Sequence, residues 1–147
     1  MPMEASVPSS AAEAETIDEE AAPIIDTELG LSYAGGIREL YDPMLQMFAD
    51  LAPKKAETIA AAYDKSDWKT YAIDVHALKS NALSIGARTL SELAKKLELA
   101  AKAIGKDGAT EEEKNTAEAT IREHHEELLE KYEAVAKQAK TLLVSKP

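Results

Sequence analysis

Apolar residues recur every three or four positions through long stretches of the chain, and only short turn sequences interrupt them. Such spacing places the apolar side chains on one face of an α-helix. No stretch alternates Val, Ile, Thr or Tyr with polar residues at the period of a β-strand. The sequence therefore predicts an all-α fold.

The first long apolar stripe contains one proline, Pro43, and a second proline, Pro53, follows its end. It runs from Ile37 to Leu51 at helical spacing. Pro43, which follows Asp42, either kinks this helix or restarts it with Asp42 as the N-cap. Pro53 is expected to start another helical segment. The pattern alone leaves both readings of Pro43 open.

Three further apolar stripes indicate helices, and recognisable signals mark where these helices begin or end. One helix is expected from about Asp67 to Ser84, with Ser66 or Asp67 as its N-cap and Gly86 at its end. The last one is expected to follow a capping box at 110–113. The apolar positions of the last two helices are Leu90, Leu93, Ala94, Leu97, Ala101 and Ile104, and then Ala117, Ile121, Leu128, Tyr132, Val135, Ala139 and Leu142.

A short apolar segment and an acidic tail precede these four helices. The segment from Ile24 to Tyr33 ends at Gly35-Gly36, which indicates a short helix and a turn. We therefore expect residues 23–145 to form an up-and-down four-helix bundle preceded by a short N-terminal helix. Residues 1–22 combine Pro, Ser, Ala and acidic residues without a sustained apolar period, so we expect a flexible tail or an interdomain linker.

Composition argues against several classes of function. The net charge of −10 disfavours nucleic-acid binding, which depends on clustered Lys and Arg. The absence of cysteine excludes a disulfide framework and a thiolate metal site. No apolar run is long enough to span a bilayer, and the first residues lack the pattern of a signal peptide. We expect a cytoplasmic protein without direct membrane contact, and the polar outer faces of its helices favour a monomer.

The segment from Val75 to Ala87 presents one histidine among mostly small residues. The apolar stripe of this helix consists of Tyr71, Val75, Leu78, Ala82 and Ile85. His76 falls well away from the centre of this stripe and is predicted to reach solvent. The same surface carries Ala72, Lys79, Ser80 and Leu83, whose low relief would let a partner protein approach closely.

From Lys69 to Lys102, a stretch that includes Arg88, basic residues outnumber acidic ones. No basic residue precedes Arg38. One interpretation is a mildly basic patch that attracts an acidic pocket of a partner. The alternative is an ordinary solvated helix face.

His124 and His125 resemble a metal-binding pair only superficially. Adjacent helical residues diverge by about 100°, so the two rings are poorly placed to share one ion. His125 falls near the apolar stripe of its helix. We therefore predict a packed histidine rather than a metal ligand.

The residues around the exposed histidine also form a recognisable pattern. The pattern His-x-Leu-Lys-x-x-Ala-x-x-x-Gly-Ala is met by His76, Leu78, Lys79, Ala82, Gly86 and Ala87. With it, the chain from about Ile24 to Leu143 resembles the histidine phosphotransfer (HPt) domains of bacterial two-component phosphorelays. The run 30–36, Leu90 and the stretch Lys96-Leu97-Glu98 also match this family. One departure is Ser80-Asn81, where many members have Gly-Ser or Gly-Ala.

The resemblance implies a phosphorelay intermediate. The phosphoaspartate of a receiver domain would donate a phosphoryl group to His76, which would pass it to another receiver. Lys79 would steer and stabilise the phosphoryl oxygens. Response-regulator receiver domains are the implied partners, with a hybrid sensor kinase as a further candidate. No cofactor is implied for this chain, because the Mg²⁺ ion would belong to the receiver. The implied contact residues are Ala72, Ser80, Leu83 and Arg88.

Two other functions are compatible with the same fold. The sequence has no P-loop, no kinase glycine loop and no aspartate-rich metal cradle, so we do not expect an enzyme that phosphorylates itself. A non-catalytic helical adapter would bind receiver domains without accepting phosphate. A chemotaxis-type kinase would instead use such a domain as the phosphate acceptor for an ATP-binding domain elsewhere. The presence of both His76 and Lys79 favours phosphotransfer over the adapter.

Overall fold

The computed structural model describes residues 24–144, which contain five helices and no strand. The helices are α1 (Thr27–Tyr33), α2 (Arg38–Asp64), α3 (Trp68–Ser84), α4 (Arg88–Ile104) and α5 (Glu111–Val144). The prediction of an all-α bundle preceded by a short helix is confirmed. The predicted tail of residues 1–22 lies outside the described residues.

The four long helices form a ring around one apolar core. α3 packs between α2 and α4, and α5 closes the ring against α4 and α2. Each helix contributes the face that its apolar spacing predicts, so burial of that face holds the bundle together. The largest fully buried apolar side chains are Tyr41, Tyr71, Ile25, Leu45, Ile59, Ile85, Leu90, Leu97, Ile121, Leu128 and Val75.

Helix α2 passes through both of its prolines. It is one helix of 27 residues with Pro43 and Pro53 inside it, so the expected restart at Pro53 is wrong. Both prolines are exposed, while Tyr41, Leu45 and Ile59 are buried along a single face. Packing of this continuous apolar face outweighs the hydrogen bond that each proline removes.

The turn between α3 and α4 ends α3 as the sequence predicts. Gly86 has φ +91°, and the N–H groups of Gly86 and Ala87 donate to the carbonyls of Leu83 and Ala82 at 2.9 and 2.8 Å. This is a Schellman motif, which requires a left-handed residue after the helix. A Cβ at Gly86 would collide with the carbonyl oxygen of Asp26, just before α1. Helix α1 therefore closes this end of the bundle.

The other predicted helix signals are present. The side chain of Asp67 accepts a hydrogen bond from the N–H of Thr70 at 3.2 Å, which identifies Asp67 as the N-cap of α3. Thr110 and Glu113 exchange side-chain and backbone hydrogen bonds of 3.0 and 2.9 Å at the start of α5. This reciprocal pair is a capping box. Both signals fix where their helices begin.

His125 is packed inside the bundle, as predicted. It is 4% exposed, and its Nδ1 lies 2.9 Å from the hydroxyl of Tyr71. Its ring stacks on that of Tyr63 with centroids 3.7 Å apart. Burial lowers the pKa of His125, and the nearby carboxylates of Asp64 and Glu126 partly oppose that effect. The neutral imidazole is therefore the form that the folded protein favours.

This burial should make stability depend on pH. The unfolded chain binds a proton on His125 at a higher pH than the folded protein, so the free energy of unfolding should fall as pH decreases below about 6.5. His125→Gln removes this titration, so that decrease should be smaller by up to about 1.4 kcal/mol per pH unit. Denaturant unfolding at about pH 7.5 and about pH 5.5 measures the difference. His124→Gln is the matched control, and an unchanged pH dependence in His125→Gln would contradict the prediction.

Candidate functional site

His76 lies in the middle of α3, on the side of that helix that faces α4. Its side chain is 57% exposed, as its position off the apolar stripe predicts. Nδ1 of the ring lies 2.7 Å from Oε2 of Glu98 on α4. The other ring nitrogen, Nε2, has no hydrogen-bond partner within residues 24–144. One nitrogen of the ring is thus anchored and the other remains available.

Glu98 is the centre of the polar cluster around this histidine. It is 2% exposed, although it carries a carboxylate. Lys79 Nζ lies 2.8 Å from its Oε1, and Lys102 Nζ lies 2.9 Å from its Oε2. With His76, three nitrogen donors therefore surround one buried carboxylate. We call these four residues, His76, Lys79, Glu98 and Lys102, the Glu98 cluster.

The cluster keeps Glu98 ionised. Burial alone raises the pKa of this carboxyl group, but its close polar contacts with Lys79, Lys102 and His76 outweigh burial and lower the pKa to about 2. A carboxylate with that pKa carries its full negative charge at neutral pH. It therefore only accepts hydrogen bonds.

An ionised Glu98 determines where the proton of a neutral His76 resides. Neutral imidazole has one N–H, and only the N–H nitrogen can donate to a carboxylate. Nδ1 at 2.7 Å from Oε2 is therefore the protonated nitrogen. Nε2 then carries the free lone pair, which makes it the nucleophilic atom of the ring.

A buried hydroxyl fixes the distance between the two helices near the cluster. The Oγ of Ser91 on α4 donates to the backbone carbonyl of Lys79 on α3 at 2.8 Å. Ser91 is 5% exposed, so this hydrogen bond is shielded from water. It joins α4 to α3 at Lys79, whose side chain contacts Glu98. The hydrogen bond therefore fixes the register of the two helices that carry the cluster.

The other predicted site residues differ in how much surface they offer. Ser80 and Arg88 are exposed, and Leu83 is 37% exposed. Ala72 is only 8% exposed, so its methyl group offers a partner little surface. Lys79 is 27% exposed, because its ammonium group turns toward Glu98. The histidine and lysine that the pattern singled out are therefore joined through an acid on the next helix.

Sequence reasoning did not assign a role to Glu98 or Lys102. A signal was present, because Glu98 falls on the apolar face of α4 next to Leu97 and one turn before Ala101. Charged residues are rarely buried without partners, so an acid at that position predicts a polar contact across the helix interface. The pairing with His76 was not available, because it depends on the register of α4 against α3.

No group of three or more His, Cys, Asp or Glu within residues 24–144 is placed to hold a metal ion. None of the five helices is both long and apolar enough to cross a membrane. What the cluster offers is one oriented nucleophile with two cations beside it.

Comparison with known proteins gives two matches. The family model described as "Hpt domain" matches residues 43–138, which contain the whole Glu98 cluster. A solved structure, the HPT domain from the Hpt sensor hybrid histidine kinase from Shewanella, superposes with a TM-score of 0.70 at 24% identity. The alignment covers 84% of this chain and 96% of that chain, and at this identity the likeness supports the fold alone. No curated protein matches the chain.

Proposed function

The chain belongs to the Hpt domain family of two-component phosphotransfer modules, which lack an ATP site, and we propose that it is a phosphorelay intermediate. In this proposal His76 accepts a phosphoryl group from the phosphoaspartate of one receiver domain and passes it to another. The observation that carries the proposal is the exposed imidazole of His76, whose Nδ1 is held by the buried Glu98 carboxylate.

The chemistry requires no general base. The lone pair of Nε2 attacks the phosphorus atom, and the Nε2–P bond forms as the bond from phosphorus to the aspartyl oxygen breaks. The aspartate leaves as a carboxylate, and the proton on Nδ1 stays where it is. The ring gains positive charge in this step, which the Glu98 carboxylate at 2.7 Å stabilises. The reverse step returns the phosphoryl group to the aspartate of a second receiver.

Lys79, which contacts the same Glu98 carboxylate as His76, supplies positive charge close to the ring that receives the phosphoryl group. A phosphoryl group on Nε2 brings close to two negative charges, and Lys79 lies one helical turn from His76. Charge attraction of this kind stabilises a transferring phosphoryl group. The exposed Ser80, Leu83 and Arg88 would contact the receiver around it.

Lys79→Ala should slow phosphoryl transfer and leave the fold intact. Glu98 keeps His76 and Lys102 as partners, so the carboxylate stays compensated. Loss of one charge interaction near a surface corresponds to a decrease of roughly 5- to 30-fold in rate. Stopped-flow or rapid-quench transfer from a phosphorylated receiver measures the effect. Lys96→Ala, which removes an exposed lysine from α4, is the control, and a Lys79→Ala rate equal to that control would remove Lys79 from the site.

Incubation with a phosphorylated receiver domain and Mg²⁺ tests the proposal. We expect an acid-labile, alkali-stable phosphoryl group on the chain, mapped to His76. A folded sample that takes up no phosphate from several receivers would instead support the adapter. Uptake from an ATP-loaded kinase domain, without uptake from any receiver, would support the chemotaxis-type arrangement.

A further inference from the structure

One residue of the Glu98 cluster has no part in the transfer described above. Lys102 follows Glu98 by one turn of α4, and its Nζ contacts Oε2 at 2.9 Å. We propose that Lys102 is a positioning residue: it holds the charge of Glu98 and so lets Lys79 turn from that carboxylate to the phosphoryl group. The inference rests on the proposed function of His76.

The need for such a residue follows from the burial of Glu98. An ionised carboxylate that is 2% exposed is strongly unfavourable without charged partners. Before transfer, Lys79 is one of these partners, at 2.8 Å from Oε1. When Lys79 turns its ammonium group toward the phosphoryl oxygens, its contact with Oε1 weakens. Another cation must then compensate the carboxylate.

Lys102 is placed to be that cation. It belongs to the same helix as Glu98, so movement between α3 and α4 does not separate the two residues. It contacts Oε2, the oxygen that also accepts the hydrogen bond from His76, and Oε1 remains for Lys79. Its side chain is 61% exposed, which argues against a role in core packing. Lys79 is thereby the exchangeable partner of the carboxylate, and Lys102 is the fixed one.

Of the two lysines that contact Glu98 within residues 24–144, only Lys79 would remain without Lys102. The carboxylate would then attract the Lys79 ammonium group more strongly. Lys79 would therefore contact the phosphoryl oxygens for a smaller fraction of the time. Lys102→Met should therefore slow transfer from a phosphorylated receiver by roughly 5- to 10-fold. The effect arises without any contact between Lys102 and the reacting atoms.

The test compares Lys102 variants in the full chain. Lys102→Arg should restore transfer to within about twofold of the parent, because a guanidinium group keeps the charge and can reach Oε2. Lys96→Met removes an exposed lysine of the same helix outside the cluster and should transfer as the parent does. The melting temperature of each variant should stay within about 3 °C of the parent.

The decisive arm repeats Lys102→Met in a Glu98→Gln background. A neutral amide does not attract the Lys79 ammonium group by charge. Lys79 can then contact the phosphoryl group whether or not Lys102 is present. We expect Lys102→Met to change the transfer rate less than about twofold in the Glu98→Gln background. A general structural defect would instead slow transfer in both the parent and the Glu98→Gln background. A parent chain that takes up no phosphate would overturn the proposed function itself. A parent that transfers, with Lys102→Met equally fast or equally impaired in both backgrounds, would overturn this inference alone.

Discussion

Replacing His76 with glutamine should abolish phosphoryl uptake while the protein stays folded. Glutamine has no ring nitrogen, so no lone pair can attack phosphorus. Its amide N–H₂ group can still donate a hydrogen bond to Glu98, and Lys79 and Lys102 remain on the carboxylate. The His76 side chain is 57% exposed, so little packing is lost. We expect the melting temperature to change by no more than about 3 °C.

The measurement is incubation of His76→Gln with a phosphorylated receiver, followed by separation and detection of labelled chain. His124→Gln, a change of the same kind on α5, is the matched control and should take up phosphate as the parent does. Label on His76→Gln would place the acceptor at another residue. A sharp fall in the melting temperature would identify His76 as a packing residue instead.

The position of His76 was predictable because it depends only on one helix. The apolar residues around it define the buried face of α3, and an exposed direction follows from 3.6 residues per turn. The helix ends were predictable for the same reason, since Asp67, Gly86 and the capping box act within a few residues. Local signals therefore predicted the helices and the exposure of His76.

The continuity of α2 was not predictable from local signals. Pro53 has no backbone N–H to donate, and a proline normally starts or ends a helix. Whether the chain bends there depends on what its apolar face meets, and that face packs on α3 and α5. Local propensity and tertiary packing disagree at this residue, and packing prevails.

The Glu98 cluster could be predicted only by knowing how two helices, α3 and α4, pack against each other. Sequence spacing shows that Glu98 lies on the buried side of α4, but not which residue of α3 it meets. That pairing is set by the packing of α3 against α4, including the hydrogen bond from Ser91 to the carbonyl of Lys79. The exposure of His76 could therefore be predicted from the sequence, whereas its contact with Glu98 could not.

Removing the Glu98 carboxylate should also slow phosphoryl transfer strongly. Glu98→Ala leaves Nδ1 of His76 without an acceptor, so water rather than the protein selects the tautomer. Rings that carry the proton on Nε2 have no lone pair there and cannot attack phosphorus. The carboxylate is also lost as the anion that stabilises the positive ring during transfer. We expect the transfer rate to fall by roughly 10- to 100-fold, by analogy with the cost of removing a residue that orients a metal-binding histidine.

A matched variant separates orientation from charge. Glu98→Gln keeps an oxygen that accepts the hydrogen bond from Nδ1 but carries no negative charge. It should therefore retain the tautomer and lose less than about 10-fold in rate. Long-range ¹H–¹⁵N correlation of the His76 ring reports the tautomer directly, and rapid-quench transfer reports the rate in the same samples.

The stability of Glu98→Ala must be measured beside its activity, because a buried charge is removed from between two cations. Breaking a buried ion pair is often strongly destabilising, but both lysines are partly exposed and can turn to water. We therefore expect a loss of only about 1 to 2 kcal/mol in the free energy of unfolding, which leaves the protein folded at 25 °C. A folded Glu98→Ala protein that transfers as fast as the parent would show that Glu98 serves packing and not the orientation of His76. A slow variant with the parent's tautomer would instead assign its effect to charge, because Nε2 would still carry its lone pair.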